Sequence, residues 1–296
     1  MTTPAALPIS RRHFLQTTAV VTAAALVPAP PGIRAANTPA GIIDTNVSLG
    51  QWPFRQVPLH PTSAVVEKLR GLAIAEAWAG SFEALLHKDI SGVNARLAED
   101  CQGRGGGLLM PIGAVNPMLP GWEEDLRRCA DVHRMPGVRL HPNYHGYTLE
   151  DPLFERVLRL AVERGLFVQL SVIMEEERTI HPLVNVPPTD TAPLATVLEN
   201  VPGVRLQLLN AFRTLRGVAV TSLAAHGVRF EIAMLEGVAG IEKLLGQIPP
   251  GSLCFGSHAP FFYPESAQLK LQESVLTAGQ MKALCSDNAR QLSVRP

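Results

Sequence analysis

The densest group of chemically capable side chains lies in one short stretch, GVRLHPNYHGY, at residues 137–147. An apolar Val-Arg-Leu run leads into it, and Phe154, Val157 and Leu158 follow it at helical spacing. Imidazole, guanidinium, amide and phenol groups in one loop can transfer protons and hold an anion. Since α/β folds place active sites where a strand ends and its helix has not begun, the stretch predicts a catalytic or binding loop. The alternative is a plain turn made by Pro142 and Asn143 with solvated histidines.

Polar side chains also stand at the ends of other apolar runs, where the same argument applies. The acid and base candidates are His141, His145, His181, His258 and Glu236. The substrate-binding candidates are Asn46, Arg139, Tyr144, Arg178 and Asn210. Each has a structural alternative; Glu236, for example, is equally well explained as an acid in the first turn of a helix. His258 ends a buried run beside Ser257. A buried imidazole needs either a hydrogen-bond partner or a catalytic role.

The elements that must position these residues alternate regularly along the chain. Eight short apolar runs are separated by helical segments such as TSAVVEKLRG and GWEEDLRRCADVH, most of them ended by Gly or Pro. Eight strand and helix units in about 260 residues predict a single (β/α)8 TIM barrel, of the α/β class, over residues 37–296. An open doubly wound sheet is the alternative, but residues 44–48 offer no glycine-rich phosphate fingerprint after the first strand.

The amino end is separate from this pattern. Arg11-Arg12 is followed at once by Phe-Leu and by a mild apolar run that ends at Val27, with a Pro-rich stretch behind it. This order predicts a twin-arginine signal peptide over residues 1–36, with an amino-terminal membrane anchor as the alternative. We therefore expect the twin-arginine translocase as a partner during export, a periplasmic or extracellular location, and no stable membrane anchor.

The composition of the chain limits the classes of binding partner that are expected. The formal net charge is +0, so no basic surface is available for nucleic acid, and a small-molecule substrate is the expected partner. The four cysteines contain no C-x-x-C pair, which predicts buried free thiols; a disulfide formed after export is the alternative.

The chain resembles the amidohydrolase superfamily, in its amidohydrolase-related branch of metal-dependent hydrolases and decarboxylases. The resemblance rests on Ile42-Ile43-Asp44, Gly137-Val138-Arg139-Leu140-His141-Pro142, Phe255-Gly256-Ser257 and Asn288-Ala289-Arg290-Gln291-Leu292. It implies a (β/α)8 barrel whose site binds one or two divalent metals that activate water.

The resemblance also implies where those metal ligands should stand, and this sequence departs from the pattern. The places that the family gives to histidines or an aspartate hold Asn46, Ser48, Ser171, Asn210 and His258. Asparagine and serine are poor zinc ligands, so we expect no metal at the family positions. If zinc binds at all, the altered set would be His141, His145, His181 and His258 with Glu236.

Two functions remain open at this point. The first is an exported amidohydrolase-related hydrolase or decarboxylase that acts on a small carbonyl- or carboxylate-bearing substrate at the barrel mouth. The second is a metal-free pseudo-enzyme barrel that binds a small ligand. The loss of family ligands favours binding, whereas the density of His, Arg and Glu at the strand ends favours a replaced chemistry.

Overall fold

A computed structural model describes residues 41–181, 183, 184 and 186–294. Residues 1–40, which contain the predicted signal peptide and its proposed boundary at residue 36, lie outside the described residues. Nine strands are parallel neighbours in two ladders, β1-β2-β3 and β4-β5-β6-β7-β8-β9. Their bounds are Ile42–Leu49, Ile74–Ser81, Leu109–Pro111, Gly113–Ala114, Gly137–Leu140, Phe167–Ser171, Leu206–Leu209, Arg229–Glu231 and Leu253–Cys254.

The two ladders form one closed barrel. Only Ile112 separates β3 from β4, and its N–H donates to the Ala79 carbonyl at 2.9 Å, so both are parts of the third barrel strand. Pro111 has no N–H to donate, which explains the interruption. The barrel closes where Thr45 N donates to Phe255 O at 3.0 Å and Ser48 N to Ala259 O at 2.9 Å. The predicted eight-stranded (β/α)8 barrel is therefore confirmed.

Helices follow the strands along the chain, and the short α4 lies in the predicted loop at the barrel mouth. They are α1 Thr62–Gly71, α2 Ile90–Gly103, α3 Trp122–Asp131, α4 Pro142–His145, α5 Pro152–Glu163, α6 Leu194–Asn200, α7 Val218–Ala225, α8 Gly240–Leu245, α9 Pro264–Gln272, α10 Ala278–Lys282 and α11 Asn288–Ser293, with a π-helical turn at Ala283–Asp287. In α5, Phe154, Val157, Leu158 and Ala161 are buried, as their spacing predicts. All four cysteines are buried free thiols, as expected.

Two strands differ from their sequence patterns in ways that matter for the site. The first strand extends well beyond the Ile42-Ile43-Asp44 motif and contains a bulge, because Asp44 pairs with Ala77 while Val47 pairs with Ala79. One extra residue in a strand re-aims the side chains beside it. The last barrel strand, β9, ends early at Cys254, and His258 beyond it has a φ of 58°.

Candidate active site at the carboxyl ends of the strands

Three of the predicted residues meet at the barrel centre. Asn46 comes from the bulge of β1, Asn210 directly follows β7, and His258 lies beyond β9. Asn210 has a φ of 58°, a left-handed conformation that asparagine tolerates better than most residues. Asn46 Nδ2 donates to Asn210 Oδ1 at 2.9 Å, and Asn210 Nδ2 lies 3.4 Å from His258 Nδ1. All three side chains are buried.

Glu231, at the end of β8, completes this network. Its Oε1 accepts from Asn210 N at 2.6 Å and from Asn46 Nδ2 at 3.3 Å, and its Oε2 accepts from Ala233 N at 2.5 Å. Asn210 Nδ2 also donates to Ile173 O at 2.8 Å. Asn46, Asn210, Glu231 and His258 are called the central network below.

Burial sets the protonation of the central network. Desolvation raises the pKa of Glu231, although the backbone N–H groups of Asn210 and Ala233 oppose it. Desolvation also lowers the pKa of His258 to about 4, so its imidazole is neutral at physiological pH. The His258 Nε2–H then donates to Met174 O at 2.7 Å and Nδ1 faces the Asn210 amide. Both imidazole nitrogens are therefore occupied.

The family ligand places do not fit a divalent metal. In the central network the Asn210 amide oxygen already accepts from Asn46, and both asparagines contribute N–H donors that a cation cannot use. Ser171 Oγ donates towards Ile173 O at 3.3 Å. Among the described residues no group of three or more His, Cys, Asp or Glu side chains could hold a metal. The altered set of His141, His145, His181 and His258 with Glu236 is therefore not brought together.

Arg139 lies inside the barrel, at the core end of the predicted loop. Its Nε donates to Gln169 Oε1 at 2.9 Å, and its two terminal nitrogens donate to Val47 O at 2.9 Å and Trp78 O at 3.2 Å. The side chain is 2% exposed. Desolvation lowers its pKa to about 10, which leaves it charged at neutral pH. The guanidinium thus cross-links strands in this arrangement, where we had predicted an anion-binding group.

A polar layer that the sequence reasoning missed continues from Arg139. Gln169 Nε2 donates to Gln207 Oε1 at 2.8 Å, and Gln207 Nε2 donates to Thr45 Oγ1 at 2.8 Å. Arg139 pairs in register with Gln169, and Gln169 with Gln207. The sequence does contain a sign of this polar layer. The motifs V-R-L, V-Q-L and L-Q-L each place one polar residue between two apolar residues of a strand. Glu231, which ends β8, was not among the predicted site residues.

Above this layer an aromatic cluster fills the barrel mouth around Trp52. Its ring centroid lies 5.1 Å from Phe261, 5.3 Å from Phe54, 5.4 Å from Phe82 and 6.2 Å from Tyr144. Tyr144, a predicted substrate-binding residue, is thus partly buried in aromatic packing. Burial raises its pKa well above the usual range.

An ion pair lies beside this cluster. Arg55 Nε lies 3.1 Å from Glu175 Oε1, and the Arg55 guanidinium sits 5.0 Å from the Phe261 ring centroid. The Glu175 side chain is only 2% exposed. Desolvation raises its pKa, and Arg55 opposes that shift. His181 is exposed, with its ring centroid 6.3 Å from Phe54, so it lies at the rim of the mouth.

His141 and His145 form a pair of buried imidazoles whose ring centroids lie 6.0 Å apart. His145 Nε2 is 2.9 Å from Ala84 O, to which it donates. The Nδ1 atoms of both rings are buried and have no hydrogen-bond partner. Desolvation lowers the pKa of both, well below the usual value for His141. Both rings are neutral and can accept a proton or a hydrogen bond.

The remaining candidates, Arg178 and Glu236, lie in a cleft beside the mouth with a volume of about 650 Å³. Arg213 joins them, since it lies 2.6 Å from Glu236 and 3.8 Å from Glu176. Arg178 pairs with Glu176 by a close contact. The predicted residues therefore divide between the central network, the imidazole pair, the rim and the cleft.

The family model described as "Amidohydrolase" matches residues 54–292. The chain belongs to the amidohydrolase family. A second model, the twin-arginine translocation pathway signal sequence, matches residues 8–28. The chain is therefore exported, to the periplasm or the extracellular space, and the sequence-based predictions of family and location are confirmed. Within the part of the chain that the structure describes, no helix has the length and apolarity to cross a membrane.

Solved structures share the fold at low sequence identity. 5-Carboxyvanillate decarboxylase from Novosphingobium aromaticivorans, solved with bound manganese, has a TM-score of 0.68 at 12% identity, over 86% of this chain and 97% of that one. 2,6-Dihydroxybenzoate decarboxylase from Rhizobium has a TM-score of 0.65 at 12% identity, over 86% and 98%. A solved structure of an amidohydrolase II has a TM-score of 0.62 at 17% identity, over 85% and 99%. No curated protein matches the sequence.

Proposed function

We propose that this exported amidohydrolase-family barrel binds a small carbonyl- or carboxylate-bearing molecule at its carboxyl-terminal face without a divalent metal at the family positions. The observation that carries the proposal is the central network. Amides occupy two of the family ligand places: Asn46 Nδ2 donates to Asn210 Oδ1 and towards Glu231 Oε1, and Asn210 Nδ2 donates to Ile173 O. Replacing anionic or imidazole ligands by neutral amides removes most of the affinity for a metal ion.

The protonation states agree with this proposal. His258 has both nitrogens engaged, and both Glu231 oxygens accept backbone N–H groups. His258 can take a proton from a substrate only by giving up its Asn210 contact at Nδ1, and losing a buried hydrogen bond costs about 1–3 kcal/mol. The barrel centre is therefore built as a structural cross-link between β1, β7, β8 and the segment after β9.

A second candidate function is a hydrolase or decarboxylase with replaced chemistry. The imidazole pair favours it, since the unpartnered Nδ1 atoms of His141 and His145 are buried bases on the loop that we predicted to be catalytic. A neutral imidazole with a lowered pKa can act as a general base at neutral pH. The decarboxylases of the same fold favour a carboxylate substrate for this second function, and His181 at the rim or Glu236 in the cleft would then act on it.

A test for bound metal distinguishes both candidate functions from the metal-dependent chemistry that the family resemblance implies. The mature exported protein, purified without chelator, should hold far less than one equivalent of metal, and zinc or manganese should leave its melting temperature unchanged. A matched variant that rebuilds the family ligands carries Asn46→His, Ser48→His, Ser171→His, Asn210→His and His258→Asp, and it should gain a metal-dependent melting temperature. One equivalent of metal in the wild-type protein, lost together with stability on EDTA treatment, would contradict the proposal whether or not the rebuilt variant folds.

Turnover separates the two remaining functions from each other. Wild-type protein and a His141→Ala variant can be tested for release of carbon dioxide or hydrolysis products from aryl carboxylates, esters and amides. Turnover that is lost in His141→Ala and does not require metal would favour the second candidate. Saturable binding without turnover supports the first.

A further inference from the structure

The cleft beside the mouth is formed by four segments that follow neighbouring strands. These are the loop after β6, the turn after β7, the loop after β8, and residues 261–273 after β9. Its volume of about 650 Å³ is within the range that encloses a drug-sized molecule. In a parallel barrel, ligand sites form at this face.

The acids of the cleft that lie nearest its cations are already neutralised. Arg213 contacts Glu236 at 2.6 Å and Glu176 at 3.8 Å, and Arg178 makes a close contact with Glu176. The third acid of the lining, Glu273, is exposed at the rim. These pairs neutralise Glu176 and Glu236, which leaves Glu273 at the rim as the third acid of the lining.

Lys270 differs from the two arginines, because its half-buried ammonium has no carboxylate partner. None of the ion pairs in the described part of the chain includes Lys270. Its Nζ donates to Ile232 O at 2.9 Å and to Ala233 O. An ammonium has three N–H donors, so one remains for a ligand. Desolvation lowers the Lys270 pKa, whereas Glu231, Glu273 and Glu236 favour the charged form.

Apart from Ser266, the rest of the lining is apolar or aromatic. It includes the buried residues Ala233 and Met234 and the three consecutive aromatic residues Phe261, Phe262 and Tyr263. The Tyr263 side of the cleft ends at an open rim, where Tyr263 is 72% exposed. A ligand body placed here would bury aromatic surface that is otherwise in water.

Phe261 and Phe262 separate this cleft from the central network. Their ring centroids lie 5.2 and 5.4 Å from the His258 ring. A ligand in the cleft would therefore lie to one side of the barrel axis and away from the family ligand places.

We propose that the cleft is a ligand site for an amphipathic organic monoanion. Its negative group would accept from the Lys270 ammonium in a cleft that Arg178 and Arg213 also line, and its apolar body would pack on Phe261, Phe262 and Tyr263. This inference rests on the proposed function, because it names the place and the ligand class for small-molecule binding by this barrel.

The test compares 4-phenylbutyrate with its uncharged analogue 4-phenylbutan-1-ol by isothermal titration calorimetry on the mature protein. We expect the anion to bind at least tenfold more tightly than the alcohol. Lys270→Met should weaken the anion about tenfold and leave the alcohol unchanged, since about 1.4 kcal/mol of charge-assisted hydrogen bonding corresponds to that factor. Tyr263→Ala should weaken both ligands. Lys282→Met, which removes a lysine that is 72% exposed and outside the cleft, is the matched control and should change neither.

The outcomes separate this inference from the function on which it rests. Equal binding of the anion and the alcohol overturns the anion assignment. Anion binding that survives both Lys270→Met and Tyr263→Ala overturns the cleft while small-molecule binding stands. If Lys270→Met does not fold, the Tyr263→Ala result decides the location. Failure of the wild-type protein to bind any of a panel of small carboxylates, esters and amides overturns the proposed function itself.

Discussion

The central network predicts a specific cost for replacing Glu231 by glutamine. The carboxylate accepts from Asn210 N and Asn46 Nδ2 through one oxygen and from Ala233 N through the other. Glutamine keeps only one acceptor oxygen, so in either orientation its NH2 group faces a backbone N–H. The mildest orientation leaves the Ala233 N–H without an acceptor. A buried N–H without an acceptor costs about 1–3 kcal/mol.

A competing effect has to be weighed against this loss. Glu231→Gln also removes a desolvated carboxylate, which by itself is favourable. However, the same carboxylate supports the charged forms of Arg139 and Lys270 electrostatically, and that support disappears with it. Because these charge effects oppose each other, the loss of the acceptor for the Ala233 N–H decides whether the free energy of unfolding rises or falls. We expect Glu231→Gln to lower the free energy of unfolding by about 1–3 kcal/mol, or the melting temperature by roughly 2–12 °C.

Urea unfolding followed by circular dichroism and tryptophan fluorescence measures this change. Glu163→Gln is the control, since Glu163 ends α5 on the exposed surface and should change stability by less than about 0.5 kcal/mol. Equal unfolding midpoints for wild type and Glu231→Gln would refute the reasoning. So would an equal loss in both variants, which would point to a general effect of removing negative charge.

Three further predictions follow from single features. Burial raises the pKa of Asp44 to about 7, so the folded state holds a proton there that the unfolded state releases near 4. Stability should therefore fall by roughly 4 kcal/mol as pH rises from 4 to 7, and Asp44→Asn should flatten that slope in urea titrations at several pH values. Arg55→Ala leaves the Glu175 carboxylate buried and unpaired, so it should cost about 3 kcal/mol in the same assay; an unchanged midpoint would show that the pair is not needed. Changing Arg11 and Arg12 to lysine should keep the protein in the cytoplasm, and normal export on cell fractionation would contradict the twin-arginine assignment.

The sequence by itself determined the architecture and the export route. Eight apolar runs alternating with amphipathic segments allow few arrangements other than a parallel barrel, because parallel strands need helical crossovers. The spacing in α5 and the bounds of α1 were readable for the same reason, since apolar positions at the helical period must share one buried face. The loss of family ligands at Asn46 and Asn210 was also visible, because it depends only on residue type and order.

Only the tertiary structure decided which of the polar strand ends meet. Whether Arg139 points into the barrel or towards a ligand depends on the direction of its side chain near the end of β5. A shift of one residue in the register of a strand turns each side chain to the other face of the sheet. The bulge in β1 that places Asn46 against Asn210 has no sequence signal of its own. Glu236 and Lys270 lie 34 positions apart, yet both line one cleft because the barrel brings the loop after β8 beside α9. This contact arises from the pairing of β8 with β9, which sets the segments that follow the two strands side by side and which no local pattern in the chain contains.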